Sequence, residues 1–545
     1  MVERGADPTL IIELATELQK RIGILPLVKV DAYALPNESG IIYRIMRIQP
    51  SSMSEISRVI RAARTMKLHI RCIGAGSSLN RVILMNDFSV VLDLRFLSDS
   101  ERIERVQIRM KDLSYVEGLR VLAGVTIHEL CEYQVQNQLC FPTNSEPLDR
   151  TVVGVIVSGS HGAITSAHSS LADYVLQVRI MDIHGEIQTY TDMSYVEFND
   201  SFNYIKSVIS GLGMLGIVYD VILKYDWLKT VKVNYEFPTI ENLFSNFKDL
   251  HKKINTNLST QLVYVPFNSI EYDCKTAEIK LDEWKSEKDE IMIRTMTETD
   301  VDSDMRQFIT VIDEEKGCLD TVLKESHLTP LILKESHRIM HRNFIQPHNQ
   351  YLPWAIHCFP TISTGFHDVT ITLTLGDLTE FGKAFRLILD KIEHFARSKN
   401  FSVNGGVRVN FTKGTNITLC PGQKGPDSDK SVHIKVLGVI SSPGWRDISF
   451  QIMDEILRHN PSATLQWSSE WIDRPVIYTT YKMIVIERVL ELEGQYLDKL
   501  KEEIEKMDRD GVFLNDHLQR IFYPFLQSYR STYKHLQTEY LSTLR

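Results

Sequence analysis

Three stretches of small residues constrain the fold more than any other feature of this chain. The first, Gly74–Asn80, reads GAGSSLN and directly follows the apolar strand pattern KLHIRCI. The second, Arg150–Ala163, reads RTVVGVIVSGSHGA, and the third, Ser210–Val218, reads SGLGMLGIV. Glycine lets a backbone approach a neighbour closely, and successive N–H groups in such a turn can bind an anion. Together the three stretches favour a long ligand, such as a dinucleotide, that lies against backbone.

Each stretch taken alone has a purely structural interpretation. Gly74–Asn80 can be a connecting turn, and Arg150–Ala163 can be a Gly/Ser loop packed under a helix. The first stretch lacks the GxGxxG spacing and following helix of a Rossmann site, and no Lys-Ser/Thr pair follows it as in a Walker loop. The dinucleotide hypothesis therefore depends on all three stretches occurring together in one domain.

The pattern of strands and helices predicts an α+β fold. Residues 40–228 alternate between β-branched runs and amphipathic segments, one of which begins with the capping box Ser52 and Glu55. From residue 229 the texture changes, and strands such as HDVTITLTLGD alternate with helices such as LTEFGKAFRLILDKIEHFARSK. These patterns predict a helical extension over 1–39, domains over 40–228 and 229–475, and a helical segment over 476–545.

Composition excludes several classes of protein. The formal net charge of −9 is spread along the chain, which argues against nucleic-acid binding and against an electrostatically held membrane protein. Seven scattered cysteines are typical of a reducing compartment. No apolar run approaches the ~20 residues of a membrane span, and the first residues lack a secretory pattern. We expect an intracellular, cytoplasmic protein without a transmembrane segment, and leave peripheral membrane association open.

The order of the motifs resembles the flavin-binding domain (FAD-binding PCMH type) of the vanillyl-alcohol-oxidase superfamily. IQPSSMSEISRVIRAARTMKLHIRCIGAGSSLN is similar to the opening of that domain, and LAGVTIHEL, PTNSEPLDRTVVGVIVSGSHGA and SGLGMLGIVYDVILK follow in family order. GGVRVNFTKGTNITLCPG and DGVFLNDHLQRIF resemble the aldonolactone oxidase branch, which contains gulonolactone, arabinonolactone and galactonolactone oxidoreductases, with alditol oxidase nearby. The resemblance implies a two-part FAD-binding domain over 40–228, an α+β substrate (cap) domain over 229–475, and a C-terminal helical segment that packs back on the FAD domain.

The resemblance also implies where FAD lies. Gly74–Asn80 would surround the pyrophosphate, Ser158–Gly162 would line the ribityl and isoalloxazine portion, and Ile217 and Val218 would offer backbone groups to the adenine end. The implied cofactor-binding residues are Gly74, Ala75, Gly76, Ser77, Ser78, Asn80, Pro142, Gly154, Ser158, Gly159, Ser160, His161, Gly162, Gly216, Ile217 and Val218.

Two residues of the FAD domain bear on how the cofactor is held. Ser77 stands where many relatives have a histidine that bonds covalently to the flavin, so the resemblance implies non-covalent FAD. His161 has two interpretations, a histidine hydrogen-bonded to backbone near the cofactor or a catalytic base. The usual fate of buried histidines favours the first.

The substrate domain departs from the family pattern. The family carries Glu-x-Arg on a strand that faces the flavin, whereas this chain has Gly406-Val407-Arg408. Arg408 fits the arginine, which is expected to stabilise negative charge near flavin N1 on hydride arrival. The family's His-Trp-x-Lys matches only Gln466-Trp467-Ser468-Ser469. Either the alignment is shifted by a few residues or the substrate site has changed, and the general base is unassigned.

The expected function is an FAD-dependent oxidoreductase. It would oxidise a CH–OH group of a sugar-derived lactone or polyol by hydride transfer to flavin N5, with oxygen or another acceptor reoxidising the cofactor. The alternatives are a same-fold alditol or other alcohol oxidase, and an FAD-binding protein that has lost turnover. His337 and His341 stand one helical turn apart, but the metalloprotease glutamate is missing, so we interpret them as a solvated helix face and expect no metal.

Overall fold

The computed structural model describes most of the chain and arranges it in four β-sheets with surrounding helices. The described residues are 2–3, 8–34, 41–79, 89–109, 113–192, 204–273, 279–303, 326–344, 346–357, 366–376, 378–415, 417–422, 430–439, 442–469, 497–515 and 518. The predicted α+β class is confirmed.

One strand of the first sheet ends where the first small-residue stretch begins. Its strands are β1 (Val2–Glu3), β2 (Val28–Ala34), β3 (Ile41–Ile48), β4 (Ile70–Ile73) and β5 (Val90–Asp93). The order is β1-β3-β5-β4 with parallel pairs, and β2 pairs antiparallel with β3. The predicted capping box begins helix α2 (Met53–Thr65), which connects β3 to β4. The chain leaves β4 directly into Gly74.

The second sheet is antiparallel and carries the third stretch at the start of a central strand. Its strands are β6 (Ile103–Arg109), β7 (Tyr115–Leu122), β9 (Val175–Met181), β10 (Ile187–Thr191) and β11 (Ile217–Leu223), in the order β10-β9-β11-β7-β6. Strands β8 (Leu139–Cys140) and β12 (Asp226–Trp227) form a separate pair. The second small-residue stretch contains the short helix α4 (Val152–Val157), so it is not a Gly/Ser loop throughout.

The third large unit is an eight-stranded antiparallel sheet. Its strands are β13 (Thr230–Glu236), β14 (Ser259–Tyr264), β15 (Ile291–Thr299), β16 (His348–Tyr351), β17 (Phe366–Leu375), β18 (Gly406–Lys413), β19 (Lys430–Val439) and β20 (Thr464–Leu465). The order is β16-β13-β15-β14-β18-β19-β17-β20.

The two faces of the eight-stranded sheet differ in polarity because polar and apolar residues alternate along its central strands. One face is apolar and joins the main hydrophobic core, through residues such as Ile371, Val409 and Ile434. The other face carries rows of polar residues fixed by strand register. Thr370, Lys435 and Arg408 lie opposite one another across β17, β19 and β18, and Thr372, His433 and Asn410 form the next row.

The remaining helices surround these sheets. They are α1 (Pro8–Ile22), α3 (Ile127–Gln136), α5 (Tyr204–Val208), α6 (Ile240–Ser245), α7 (Phe247–Thr256), α8 (Thr329–Asn343), α9 (Leu352–Ala355), α10 (Leu378–Arg397), α11 (Trp445–His459) and a helix over 497–507. Among the described residues, none of these helices is long and apolar enough to cross a membrane.

The prediction that His337 lies on a solvated face of its helix, α8, is wrong. His337 is buried, with 6% of its surface exposed, and its ring makes an edge contact with Phe237. Burial lowers the pKa of His337 to about 4, with a further decrease from His341. Phe237 and the carboxylate of Glu290, whose Oε2 lies 3.6 Å from Nε2 of His337, therefore lie beside this histidine.

Residues near the C-terminus contact the first sheet. Ile70 N–H donates to the carbonyl of Val512 over 2.8 Å, and Leu500 and Ile504 of the helix over 497–507 are fully buried in the main core. These contacts place residues 511–514 beside β4. The four domain boundaries given above stay a prediction.

Candidate functional site

The three small-residue stretches meet at one cleft between the first and second sheets. The cleft holds about 1030 Å³ of space, part of it open to solvent. The loop after β4, helix α4 with the residues after it, and the start of β11 form its walls. Of the residues implied to bind the cofactor, the cleft is lined by Gly74, Ala75, Gly76, Ser77, Ser78, Gly154, Ser158, Ser160, Gly216, Ile217 and Val218.

Close packing explains why glycine stands at several of these positions. A Cβ on Gly154 would lie 2.7 Å from Oγ1 of Thr151, and one on Gly74 would overlap the same side chain. Gly216 has a φ of +146°, and its Cβ would overlap the carbonyl oxygen of Met181. These glycines thus let the first and second stretches pack around Thr151 and let the third stretch pack against β9, and each leaves backbone exposed at the cleft.

The cleft contains two cations that sequence reasoning missed. Arg71 and Arg150 are its charged residues within the described part of the chain. The Arg71 guanidinium donates to the carbonyls of Leu212 and Phe513 over 2.6 Å each, and burial lowers its pKa to about 10. Arg71 therefore fastens the third stretch to the C-terminal residues. A lone arginine in the apolar strand IRCI was the available signal.

The cleft adjoins a second, smaller space, which we call the chamber. It holds about 340 Å³ and lies against the polar face of the eight-stranded sheet. The chamber is lined by Ser145, Glu146, Pro147, Arg150, Ser160, His161, Asp368, Thr370, Lys435, Gln466, Ser468 and Ser469. Arg150, Ser160 and Ser468 line both the cleft and the chamber. Almost every group in the chamber is polar, whereas the cleft is mainly apolar and backbone.

Glu146 occupies the neighbourhood of the predicted catalytic arginine. Its Oε2 lies 3.6 Å from Nη1 of Arg408, and its Oε1 accepts hydrogen bonds from Asn410 at 3.0 Å and Gln261 at 3.1 Å. Burial alone would raise the pKa of the Glu146 carboxyl, but the charges of Arg408 and Lys435 outweigh burial and lower it. Glu146 is thus an ionised partner of Arg408 that comes from the FAD domain.

Asp368 and Lys435 add a second pair of opposite charges. Oδ2 of Asp368 accepts hydrogen bonds from Thr370 at 2.6 Å and Ser469 at 2.7 Å. Burial alone would raise the pKa of Asp368. The charge of Lys435 and these hydrogen bonds outweigh burial, so the pKa lies below its ordinary value. The single lysine in the strand SVHIKVLGV was the signal that sequence reasoning did not use.

His161 lies at the chamber wall and is held by backbone, as the favoured interpretation expected. Its Nδ1 lies 3.0 Å from the carbonyl oxygen of Gly162, and its ring stacks on His433 with centroids 4.1 Å apart. Burial and the charge of Lys435 lower the pKa of His161 to about 4. Because a carbonyl can only accept, Nδ1 carries the proton and Nε2 is the acceptor of this neutral ring.

Other predicted residues lie away from the cleft lining. Gly159 packs against Cys420, Gly162 packs against Thr143, and Pro142 lines neither space. Asn80 lies outside the described residues. Arg408 lines neither the cleft nor the chamber among the described residues, and is 17% exposed beside Glu146.

The departure at Gln466–Ser469 has a structural role. Nε2 of Gln466 donates to the carbonyls of Ser158 at 3.2 Å and Gly159 at 3.1 Å, and the carbonyl of Ser468 accepts from Leu79 N–H at 2.9 Å. This segment therefore connects both walls of the cleft to the eight-stranded sheet.

Comparison with known proteins agrees with this geometry. Residues 46–191 match the family model of the FAD-binding domain. The D-arabinono-1,4-lactone oxidase of Candida albicans is 26% identical over 211 residues, which are 37% of this chain and 36% of that protein. The enzyme of the same name from Debaryomyces hansenii is 25% identical over 207 residues, 36% of this chain and 35% of that protein. The matched region thus spans about a third of the length of these curated relatives.

Solved structures extend the likeness to nearly the whole chain. A cholesterol oxidase variant from Brevibacterium sterolicum superposes with a TM-score of 0.71 at 14% identity and covers 92% of this chain and 98% of that one. A second structure of the same oxidase gives a TM-score of 0.70 at 14% identity, covering 91% and 97%. At this identity the likeness shows the fold alone.

The chain therefore shares the fold of cholesterol oxidase, and residues 46–191 match an FAD-binding domain. The predicted resemblance is confirmed by this match and by curated relatives named D-arabinono-1,4-lactone oxidase.

The residues present fit FAD. The cleft is lined by glycine-containing backbone, which permits close approach and can offer N–H donors to an anionic pyrophosphate, and its charged residues within the described chain are both cations. Nε of Arg150 is buried and has no hydrogen-bond partner within the described residues, so a donor stands ready for a ligand acceptor.

Proposed function

We propose that this protein is an FAD-dependent oxidoreductase that oxidises a CH–OH group of a sugar-derived lactone, with D-arabinono-1,4-lactone as the first substrate to test. The names of its curated relatives support this substrate class. The observation that carries the proposal is the polar chamber at the end of the FAD cleft, which shares three residues with it.

The lining of the chamber favours a polyhydroxylated substrate over an apolar one. Lys435 and Arg150 can donate to substrate oxygens, and Asp368 and Glu146 can accept from substrate hydroxyls. A sterol in the same space would remove these charges from water without replacing their hydrogen bonds, which is costly. We therefore propose that the chain shares its fold with cholesterol oxidase but not its substrate.

Bound FAD would supply the acceptor for the substrate hydride at N5. The chain's own groups would bind and orient the substrate. Lys435 would donate to a substrate oxygen, and the ionised Asp368 would accept a hydrogen bond from the hydroxyl on the carbon to be oxidised. His161, neutral above its pKa of about 4, would present Nε2 as a further acceptor at the chamber wall.

One observation favours the alternative of a changed substrate, such as an alditol. Gly406 occupies the family's glutamate position with a φ of +82°, and a Cβ there would lie 2.5 Å from the carbonyl oxygen of Tyr264. A glutamate cannot replace it without moving β14 or β18. The carboxylate beside Arg408 instead comes from Glu146, so substrate recognition would differ in detail from that of relatives with the glutamate.

We also propose that FAD is held without a covalent bond and that molecular oxygen reoxidises it. Ser77, which cannot form the histidyl linkage, lines the cleft. Acid precipitation of the purified protein should leave yellow colour in the supernatant, and turnover in air should release hydrogen peroxide. Colour in the pellet would contradict the first proposal, and turnover only with an added dye would contradict the second.

The substrate is tested by anaerobic mixing. Purified holoprotein is combined separately with D-arabinono-1,4-lactone, xylitol and cholesterol, and the flavin absorbance is followed. Bleaching by the lactone is the expected result. Bleaching by xylitol alone would move the assignment to an alditol oxidase, and bleaching by cholesterol would contradict the argument from the chamber. No bleaching by any alcohol, with flavin that dithionite still reduces, would indicate lost turnover.

A further inference from the structure

We propose that Arg150, rather than Arg408, is the cation that stabilises negative charge on the reduced flavin ring. This inference rests on the proposed function only in that the cleft holds FAD and the chamber holds the substrate.

Position distinguishes Arg150 from the other cleft cation. Hydride transfer requires the donor carbon and the flavin to approach within about 3.5 Å, so the reacting ring would lie where the cleft and the chamber adjoin. Three residues line both spaces, namely Arg150, Ser160 and Ser468. Arg150 is the charged one of the three. The other cleft cation, Arg71, is fastened to backbone carbonyls and does not line the chamber within the described residues.

Arg150 also carries an unsatisfied donor. Its Nε is buried and has no hydrogen-bond partner within the described part of the chain. A buried donor without a partner is costly, and a ligand acceptor would remove that cost. The planar guanidinium offers donors in a fixed fork, and the pyrimidine edge of a flavin offers neighbouring nitrogen and oxygen acceptors.

Arg408 is less well placed for this role. It lies beside Glu146, 3.6 Å from its carboxylate, and in register with Lys435 on the neighbouring strand. Arg150 also has a carboxylate within electrostatic reach, Asp368, so position is what separates the two arginines: among the described residues Arg408 lines neither space, and Arg150 lines both. Arg408 instead supports Glu146 at the chamber wall, which is a positioning role.

The charge that Arg150 would stabilise comes from the reaction itself. Bound FAD would accept the hydride with its two electrons, and without a second proton its reduced ring would carry an added negative charge at N1 and the adjacent carbonyl. A cation at that edge stabilises the charge because electrostatic interactions are stronger where water is excluded.

Sulfite provides a test that needs no substrate. It adds to N5 of oxidised flavins, so an N–S bond forms and the electron pair of sulfur enters the ring, producing negative charge at the same edge. The sulfite Kd of the holoprotein is measured from the loss of flavin absorbance. Arg150→Met should raise this Kd about tenfold or more, and Arg408→Met should change it less than about threefold. The reverse ranking, or no effect of either change, would overturn the proposal.

Two further measurements keep this test interpretable. FAD content and far-UV circular dichroism establish that each variant is folded and loaded. If Arg150→Met does not retain FAD, Arg150→Gln takes its place, since glutamine keeps a hydrogen-bond donor but loses the charge, and its sulfite Kd should still rise. An unchanged Kd in loaded Arg150→Gln would then contradict the proposal. Because sulfite binding requires no alcohol substrate, failure here is distinguishable from failure of the proposed function.

Discussion

The cleft and the chamber adjoin each other, but the cleft is lined mainly by backbone and the chamber mainly by side chains. The cleft is formed by backbone at three glycine-containing stretches, and its charged residues within the described chain are two arginines. The chamber is formed by side chains and brings Glu146 and Asp368 together with Arg150 and Lys435. A backbone-lined space suits a long ligand that many proteins share, whereas a space lined by side chains can change its ligand one residue at a time.

This difference predicts different costs of mutation. A substitution at a glycine of the cleft forces backbone segments apart, so it should both abolish FAD binding and lower the stability of the fold. A change in the chamber should leave FAD in place and alter substrate use or local stability. The four predictions below test that division.

The largest effect is expected for Gly216→Ala. The added Cβ would overlap the carbonyl oxygen of Met181 at a φ of +146°, so β9 and β11 must separate. We expect a loss of stability of about 3 kcal/mol or more together with loss of bound FAD. Thermal unfolding and the ratio of flavin to protein absorbance measure both.

Gly376→Ala is the matched control for this change. A Cβ at Gly376 meets no atom within 4 Å, so its effect should stay within about 0.5 kcal/mol. Retention of FAD and full stability by Gly216→Ala would show that the cleft is less tightly constrained than the geometry indicates.

Glu146→Gln should destabilise the protein by about 3 kcal/mol, because it leaves the half-buried Arg408 without its anion while keeping the shape of the side chain. The midpoint of urea unfolding measures the change. The control is Glu335→Gln, which breaks a surface pair with Arg338 and should cost less than about 1 kcal/mol. Equal effects of the two changes would contradict the assigned role of Glu146.

Asp368→Asn should keep FAD bound and lower kcat/KM by about tenfold to a hundredfold, since the chamber loses an ionised acceptor beside Lys435. Steady-state kinetics with the best substrate measures the effect. The exposed Asp282→Asn serves as control and should leave kcat/KM unchanged. If Asp368→Asn instead released FAD, cleft and chamber would not be separable as proposed.

The smallest effect concerns pH. Burial and the charge of Lys435 lower the pKa of His161 to about 4, from an ordinary value near 6.5. Between these values the unfolded chain binds the proton and the folded chain does not, so stability is full above about pH 6.5 and decreases as pH falls towards 4. His161→Asn should make this decrease shallower in urea unfolding at pH 7.5 and 5. His251→Asn, on the exposed face of α7, should not.

The same comparison explains how much of the molecule was predictable from sequence. The cleft was predicted because each small-residue stretch is a local signal and all three occur in one part of the chain. The α+β class followed from the same periodicities. The alternation of polar and apolar residues in strands such as HDVTITLTL also indicates that one face of the eight-stranded sheet is polar. Which polar residues become neighbours on that face depends on the strand register.

The chamber was not predicted because it is assembled across the fold. Glu146, Asp368 and Lys435 lie far apart in sequence and meet only when the sheet packs against the FAD domain. The spacing of residues in the sequence does not reveal contacts of this kind. The sequence therefore indicated Arg408 but not Glu146, its partner from a distant part of the chain. Arg150 belongs to the second stretch, but only the folded arrangement shows that it lines both the cleft and the chamber.

The central claim is that three converging backbones form an FAD site. The most direct measurement is the flavin content of the purified protein, with the change in melting temperature on adding FAD to any flavin-free fraction. We predict one FAD for each chain and a higher melting temperature with the cofactor. A colourless protein whose melting temperature does not respond to FAD would contradict the claim.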